Sequence, residues 1–312
     1  MRVLITGASG LAGGYLARAC VAAGDEVVGL SRQGRAAEGA GAGRAVDVRD
    51  AAAVRGAVGD AAPQVVYHLA ALSSVGRSWE DPAETLQTNV LSSVHLLEAL
   101  RLEAPAARVV WVSSCEVYGR PARLPISEDA PVQPASPYAV SKAAGEQLAG
   151  VYAQAYGLQV ITARPFNHTG PEQRPIFILS SLARQAAEAR LRGSESLRVA
   201  TGNPHTRRDF TDVRDVVRAY RLLAERAEPA VYNVSSGRSV SAAEQVALLA
   251  ELIAPIQVEH VVDPGRVRAH EVMELAGSPE RIRAATGWEP EIPFRETMRQ
   301  TIEWWERQLR DE

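Results

Sequence analysis

Tyr138 and Lys142 stand four residues apart in the run SPYAVSKAAGEQLA. On a helix that spacing puts both side chains on one face. A tyrosine titrates at about pH 10 in isolation, and a neighbouring ammonium favours its phenolate, which would make Tyr138 an acid-base group at neutral pH. The same spacing covers many ordinary helix surfaces. Here, however, it holds the chain's only lysine, because Lys142 alone among 34 basic residues is not arginine. Lysine is a compact point charge with an adjustable pKa, which suits that task as arginine would not. Upstream, the apolar run RVVWV leads into SSCEVYG at residues 113–119, so Ser114 and Glu116 follow a buried strand, where a ligand site begins.

A second group of residues points to a nucleotide. The first apolar run, RVLIT, enters TGASGLAGGYLARA, spacing Gly7, Gly10 and Gly13 as GxxGxxG. Glycine permits the tight turn and lets backbone N–H groups approach a pyrophosphate, while the N-terminus of the following helix favours the anion. The second apolar run ends VVGLSRQGR. A site for NAD usually has an acid there for the ribose hydroxyls, whereas Ser31 and Arg32 suit a 2′-phosphate, so NADP(H) is expected and NAD(H) is the alternative.

These residues need a scaffold that gathers strand ends. Short β-rich runs alternate with helical patterns: RVLIT, a helix over 11–23, EVVGL, AVDV, QVVYHLA, a helix over 82–103, RVVWVSS, a helix over 136–156, and LQVITARP. This alternation predicts an α/β fold, a Rossmann-type doubly wound parallel sheet whose ligands lie beyond the carboxyl ends of its strands. From Arg164 the pattern loosens into a smaller, partly interleaved C-terminal lobe. The expected division is 1–164, with 209–235 returning, for the nucleotide-binding unit, and 165–208 with 236–312 for the second lobe.

Composition narrows the function classes. The 34 Lys+Arg nearly balance 37 Asp+Glu, and no basic tract suggests nucleic acid. The start MRVLITGAS lacks the sections of a signal peptide, and no apolar run approaches the roughly 20 residues of a membrane helix, so a cytoplasmic protein is expected. Cys20 and Cys115 read as free thiols, and the six histidines form no ligand cluster, so no metal is expected. Trp288, Trp304 and Trp305 read as core residues rather than stacking platforms.

Together the segments resemble the extended short-chain dehydrogenase/reductase family over essentially the whole chain. The matching pieces are TGxxGxxG, Asp47 with Val48, HLAA at 68–71, TNV around Asn89, the serine-bearing strand end, YxxxK, and RPFNHTGP at 164–171. The resemblance implies cofactor contacts from Gly7, Gly10, Leu11 and Gly13, from Ser31 and Arg32, and from Asp47 and Val48. It adds Leu69, Ala70, Ala71 and Asn89, together with Tyr138 and Lys142. It implies a catalytic set of Ser114, Tyr138 and Lys142, with Lys142 also on the nicotinamide ribose.

Glu116 takes a position that is often the base in nucleotide-sugar 4,6-dehydratases of that family. Those enzymes usually have an acid or hydroxyl just before it, where this chain has Cys115, and a thiol is a questionable partner for expelling water. The later segments resemble the GDP-mannose branch. The expected reaction is therefore NADP(H)-dependent reduction of the C4 ketone of GDP-4-keto-6-deoxy-D-mannose to GDP-D-rhamnose. The alternatives are a GDP-mannose 4,6-dehydratase with Glu116 as base, and a UDP- or GDP-sugar 4-epimerase. By the same resemblance Asn167, Arg184, Arg208 and Arg268 would bind the diphosphate, because arginines grip such oxygens with forked, charge-assisted bonds. A departure is Arg268-Ala269, where the family usually has Arg-Pro. A homodimer is expected from the family alone.

Overall fold

The computed structural model describes residues 1–36, 39–267 and 272–311. The first part of the chain alternates strands and helices: β1 (Arg2–Thr6), α1 (Leu11–Ala22), β2 (Glu26–Ser31), β3 (Ala42–Ala45), α2 (Ala51–Ala61) and β4 (Val65–His68). There follow α3 (Val75–Glu80), α4 (Pro82–Leu86), α5 (Ser92–Glu103), β5 (Arg108–Val112), α6 (Pro137–Tyr156) and β6 (Gln159–Pro165). The second part holds β7 (Asn167–Thr169), α7 (Ile178–Leu191), β8 (Ser196–Thr201), β9 (Arg207–Asp212), α8 (Val213–Arg226) and β10 (Val231–Val234). It ends with β11 (Ser239–Ser241), α9 (Ala242–Ile253), β12 (Gln257–Val262), β13 (Glu274–Leu275), α10 (Glu280–Thr286) and α11 (Phe294–Asp311).

Seven strands form one sheet in the order β3-β2-β1-β4-β5-β6-β10, every pairing parallel. The inner strands carry uninterrupted apolar runs at 3–5, 65–67 and 109–112, as suits a sheet whose two faces are both covered by helices. On one face α1 and α8 pack over Val3, Ile5, Val110 and Ile161; on the other, α2, α5 and α6 cover Leu4, Val66, Val109 and Trp111. The strand order reverses between β1 and β4, and the carboxyl ends there open the crevice where such sheets bind ligands. Among the described residues no helix is long and apolar enough to cross a membrane.

Local sequence explains the helix that carries Tyr138. Ser136 caps α6 by accepting from the Ala139 amide at 3.1 Å, and Pro137 starts it, where its missing N–H costs nothing. Gly157, in the left-handed region at φ 73°, ends it.

Three expectations shift. The strand expected at AVDV lies earlier, at Ala42–Ala45, because Asp47 turns the chain out of the sheet by accepting from the Arg49 amide at 3.0 Å. The helix expected over 82–103 is α4 and α5 joined by a π-helical turn at Gln87–Leu91, the kind of local bulge that marks functional sites. The third concerns the lobes. Beyond β6 the chain builds a small sheet from β7, β9, β11 and β13, a parallel pair β8-β12, and a core among α7, α9 and α11. Residues 207–212 belong to that small sheet, not to the large one, since β9 pairs only with β7, β11 and β13. Then α8 and β10 return to the large sheet, and α10 goes with them. Ile282 and Trp288, both fully buried, lie in the core under α8. The segment around them had been expected in the second lobe; apolar contact with α8 decides otherwise.

Candidate active site

The glycine turn sits between β1 and α1, against the end of β4. Gly7 has φ 74°, and a Cβ there would stand 2.8 Å from the Ala70 amide nitrogen. At Gly13 a Cβ would lie 2.2 Å from the Gly7 carbonyl oxygen. Bare backbone is therefore required at both. Gly10 precedes α1 without any side-chain cap, which leaves the first-turn N–H groups, Leu11 among them, open to an anion. Such a cradle fits a pyrophosphate. Thr6 fixes the neighbouring loop: its hydroxyl lies 2.8 Å from His68 Nδ1 and accepts from the Ala70 amide at 3.1 Å. Leu69, Ala70 and Ala71 thus line the same crevice, half-buried.

At the end of β2, Ser31 is buried and Arg32 exposed. Asp47 is held by Arg49 at 2.6 Å, and its carboxyl falls to a pKa of about 2, chiefly through that hydrogen bond, with Arg32 contributing. The Val48 carbonyl accepts from His95 Nδ1 at 3.1 Å. Asn89 lies in the π-helical turn as a buried bracket, accepting from the Leu72 amide at 2.8 Å and donating to the Ser141 hydroxyl at 2.8 Å. It ties the loop after β4 to α6.

Ser114, Tyr138 and Lys142 come together at the end of β5, each less than a tenth exposed. Ser114 caps the 3₁₀ turn Cys115–Tyr118, accepting from the Glu116 amide at 3.2 Å, and also hydrogen-bonds Tyr138. The Lys142 ammonium donates to the Val112 carbonyl, and burial lowers its pKa to about 8. Tyr138 differs from expectation. Burial pushes its phenol well above the ordinary value; the Ser114 hydrogen bond lowers it only in part, and Glu116 raises it. Burial thus favours the phenol over the phenolate at this position. Behind it a cavity of about 10 Å³, bounded by His68, Asn89, Ser141 and Lys142, has room for about one water.

Glu116 is half-buried on the turn, beside Cys115. Burial and then Glu116 push the Cys115 thiol well above its usual range, while Arg208 pulls it back. Glu116 and Arg208 therefore act on one point, although 92 residues separate them (208 − 116). Arg208 on β9 donates to the Arg207 carbonyl at 2.8 Å. The neighbouring acids are engaged elsewhere: Asp209 accepts from Ser236, Gly237 and Gly277, and Asp212 pairs with Arg214. Asn167 on β7 stands opposite Phe210 on β9, two residues beyond Arg208. Arg184 pairs through Nε with Glu188 one turn along α7 at 3.0 Å and lies over the Trp305 ring at 5.4 Å. Arg268 lies outside the described residues. No cluster of metal-ligating side chains occurs among the described residues.

Sequence reasoning passed over Thr6, His68, Ser141, Tyr118, Glu146 and Arg164. His68 opens HLAA, Arg164 opens RPFNHTGP, and Glu146 follows Lys142 by four, so each signal was present without a partner to interpret it.

The family model for GDP-mannose 4,6 dehydratase matches residues 4–301. The chain belongs to this family. It is thereby one of the extended short-chain dehydrogenase/reductases that act on nucleotide sugars with a nicotinamide cofactor. Within the family it is 41% identical to GDP-6-deoxy-D-mannose reductase of Pseudomonas aeruginosa, over 80% of this chain and 83% of that one. It is 36% identical to UDP-glucose 4-epimerase of Mycolicibacterium smegmatis, over 97% of this chain and 98% of that one. The structure of RMD from Pseudomonas aeruginosa complexed with NADPH superposes with a TM-score of 0.85 at 35% identity, covering 99% of this chain and 100% of that one.

Proposed function

We propose that this chain reduces the C4 ketone of GDP-4-keto-6-deoxy-D-mannose to GDP-D-rhamnose with NADPH. The observation that carries this reading is the buried set of Ser114, Tyr138 and Lys142 at the end of β5, in a chain 41% identical to a GDP-6-deoxy-D-mannose reductase; burial raises the Tyr138 phenol. Reduction of a ketone needs a proton for the oxygen, and a phenol held above its ordinary pKa keeps that proton until charge develops next to it. When bound, the reduced nicotinamide supplies the hydride. Ser114 donates to the carbonyl oxygen and polarises it; Tyr138 then gives its proton to that oxygen. Lys142, with a pKa of about 8, is cationic at neutral pH and stabilises the phenolate left behind. Asn167 and Arg208 take the diphosphate together with Arg268, and Glu116 orients the sugar.

The similarity to the Pseudomonas reductase supports the substrate, and the similarity to the RMD structure complexed with NADPH supports the cofactor. Cys115 argues against dehydration, since a thiol held above its usual range is a poor acid for an outgoing hydroxyl. We assign cofactor binding to the unit built on the large sheet, and sugar binding to the lobe built on β7, β9, β11 and β13. We assign a cytoplasmic homodimer as well, paired through α5 and α6, whose Leu102, Val151 and Tyr156 are exposed.

The test is cofactor oxidation on mixing the purified protein with GDP-4-keto-6-deoxy-D-mannose and NADPH, beside GDP-mannose with NADP⁺. Oxidation with the keto sugar alone is expected. Conversion of GDP-mannose without net redox would make Glu116 a base and end the reductase reading; purified protein that carries bound nicotinamide and interconverts a UDP- or GDP-sugar with its C4 epimer would make it an epimerase.

Cofactor choice has its own test. Arg32→Asp removes the cation proposed for the 2′-phosphate, and a charge-assisted bond contributes roughly 1.5–3 kcal/mol, or about 10–100-fold in affinity. KM for NADPH should rise by that factor while KM for NADH holds or falls. Equal changes for both would show that Arg32 does not read the phosphate.

A further inference from the structure

A buried ion pair lies just behind the site. Glu146 follows Lys142 by four residues on α6, so the two share a helix face. Arg164, at the end of β6, meets Glu146 with both prongs of its fork, Nε to Oε2 at 3.1 Å and Nη2 to Oε1. The side chains are only 5% and 12% exposed. Arg164 Nη1 also donates to the Tyr118 hydroxyl at 2.9 Å, and that hydroxyl donates to Asn233 Oδ1 on β10 at 2.7 Å. Asn233 in turn donates from its side chain to the Ile126 carbonyl at 2.9 Å and from its amide to Glu128 at 2.8 Å. Tyr118 closes the 3₁₀ turn that begins after Ser114.

Burying such a pair gives little net stability, since desolvation offsets the attraction; an apolar pair would hold the fold as well. Its position supplies another reason for its presence. We propose that the Glu146–Arg164 pair is a positioning device for the reaction: Glu146 keeps Lys142 cationic at the working pH, and Arg164 ties the Ser114–Glu116 turn to α6 through Tyr118. The consequence for catalysis rests on the reductase reading; the effect on Lys142 does not.

The groups around Lys142 leave Glu146 that task. From β4, His68 is neutral, its pKa down at about 3 through burial and then the lysine itself. From β5 comes the Val112 carbonyl, and from its own helix the protonated Tyr138. Asn89 in the π-helical turn, Ser93 on α5 and Ser141 on α6 are polar but uncharged. Burial lowers the lysine, and Glu146 opposes that. Arg164 holds this carboxylate in one rotamer.

Because Lys142 is the only lysine, ¹³Cε-lysine labelling of the full chain yields one side-chain resonance whose pH titration reads its ionisation without substrate. The wild-type midpoint should fall near the value of about 8, and Glu146→Gln should lower it by about 1 unit. An unmoved midpoint would overturn the proposal. Should Arg164 left unpaired prevent folding, Glu146→Gln with Arg164→Met removes both charges. A smaller shift in the same direction is then expected, because the carboxylate shares the lysine's helix face, and no shift again overturns it. Tyr118→Phe tests the tie: kcat should fall about tenfold with the Lys142 midpoint unmoved, and wild-type kcat would remove that half of the proposal. A wild-type protein inactive on the keto sugar would instead count against the reductase reading, with the titration still standing.

Discussion

Tyr138→Phe should lower kcat by roughly 10²–10⁴-fold, the range lost with a positioned general acid. The phenyl ring fills the same buried space, so folding should be unaffected. Only the hydroxyl is lost, and with it the proton proposed to reach the ketone oxygen. NADPH affinity should change by no more than a few-fold, because the pyrophosphate cradle and Lys142 remain. Steady-state kinetics and a fluorescence titration of NADPH measure the two effects separately. A variant that keeps more than about a tenth of wild-type kcat would mean that another group delivers the proton. A large loss of cofactor affinity with kcat intact would give Tyr138 a binding role instead.

Gly13→Ala should remove cofactor binding while leaving the chain folded. The added Cβ would sit 2.2 Å from the Gly7 carbonyl oxygen and 2.9 Å from Ala8 Cα. Both are backbone atoms, so no rotamer change relieves the clash, and the turn must open away from α1. Overpacking of this kind costs about 1–3 kcal/mol of stability, and the displaced N–H groups no longer converge on an anion. An NADPH Kd raised by at least about 100-fold and a Tm lowered by several degrees are expected. Gly56→Ala is the control: Gly56 is exposed on α2 with nothing near a new Cβ, and alanine there should stabilise by about 0.4–1 kcal/mol. Wild-type NADPH affinity in Gly13→Ala would show that the turn does not hold the pyrophosphate.

Much of the site was legible from spacing. The glycine turn, the serine-bearing strand end and YxxxK each lie within a short stretch where local rules apply. GxxGxxG after a strand dictates a turn and a helix start, and four residues dictate a shared helix face. The large sheet was legible for the same reason, since uninterrupted runs such as RVLIT and RVVWV are tolerated only where helices cover both faces. Asp47 moved one strand because a side-chain hydrogen bond to a nearby amide competes with the ladder, a local effect weaker than apolar patterning. The π-helical turn at Asn89 was not legible: the bonds its side chain makes there, to Leu72 and Ser141, join residues 17 and 52 positions away.

By itself the sequence determined the alternation of buried strands and helices up to Pro165, apart from α2, the bare-backbone turn for an anion, and the adjacency of Tyr138 and Lys142. All of these follow from periodicity and backbone sterics over a few residues. Tertiary structure alone decided the surroundings of Tyr138: its phenol is buried, and that burial raises its pKa while the Ser114 hydrogen bond lowers it only in part. It also brought Arg208 to the Glu116 turn, left Arg184 with Glu188, moved Trp288 under α8, and paired Glu146 with Arg164. Burial and charge pairing are sums over groups that meet only when the chain has folded, so no window of sequence contains them.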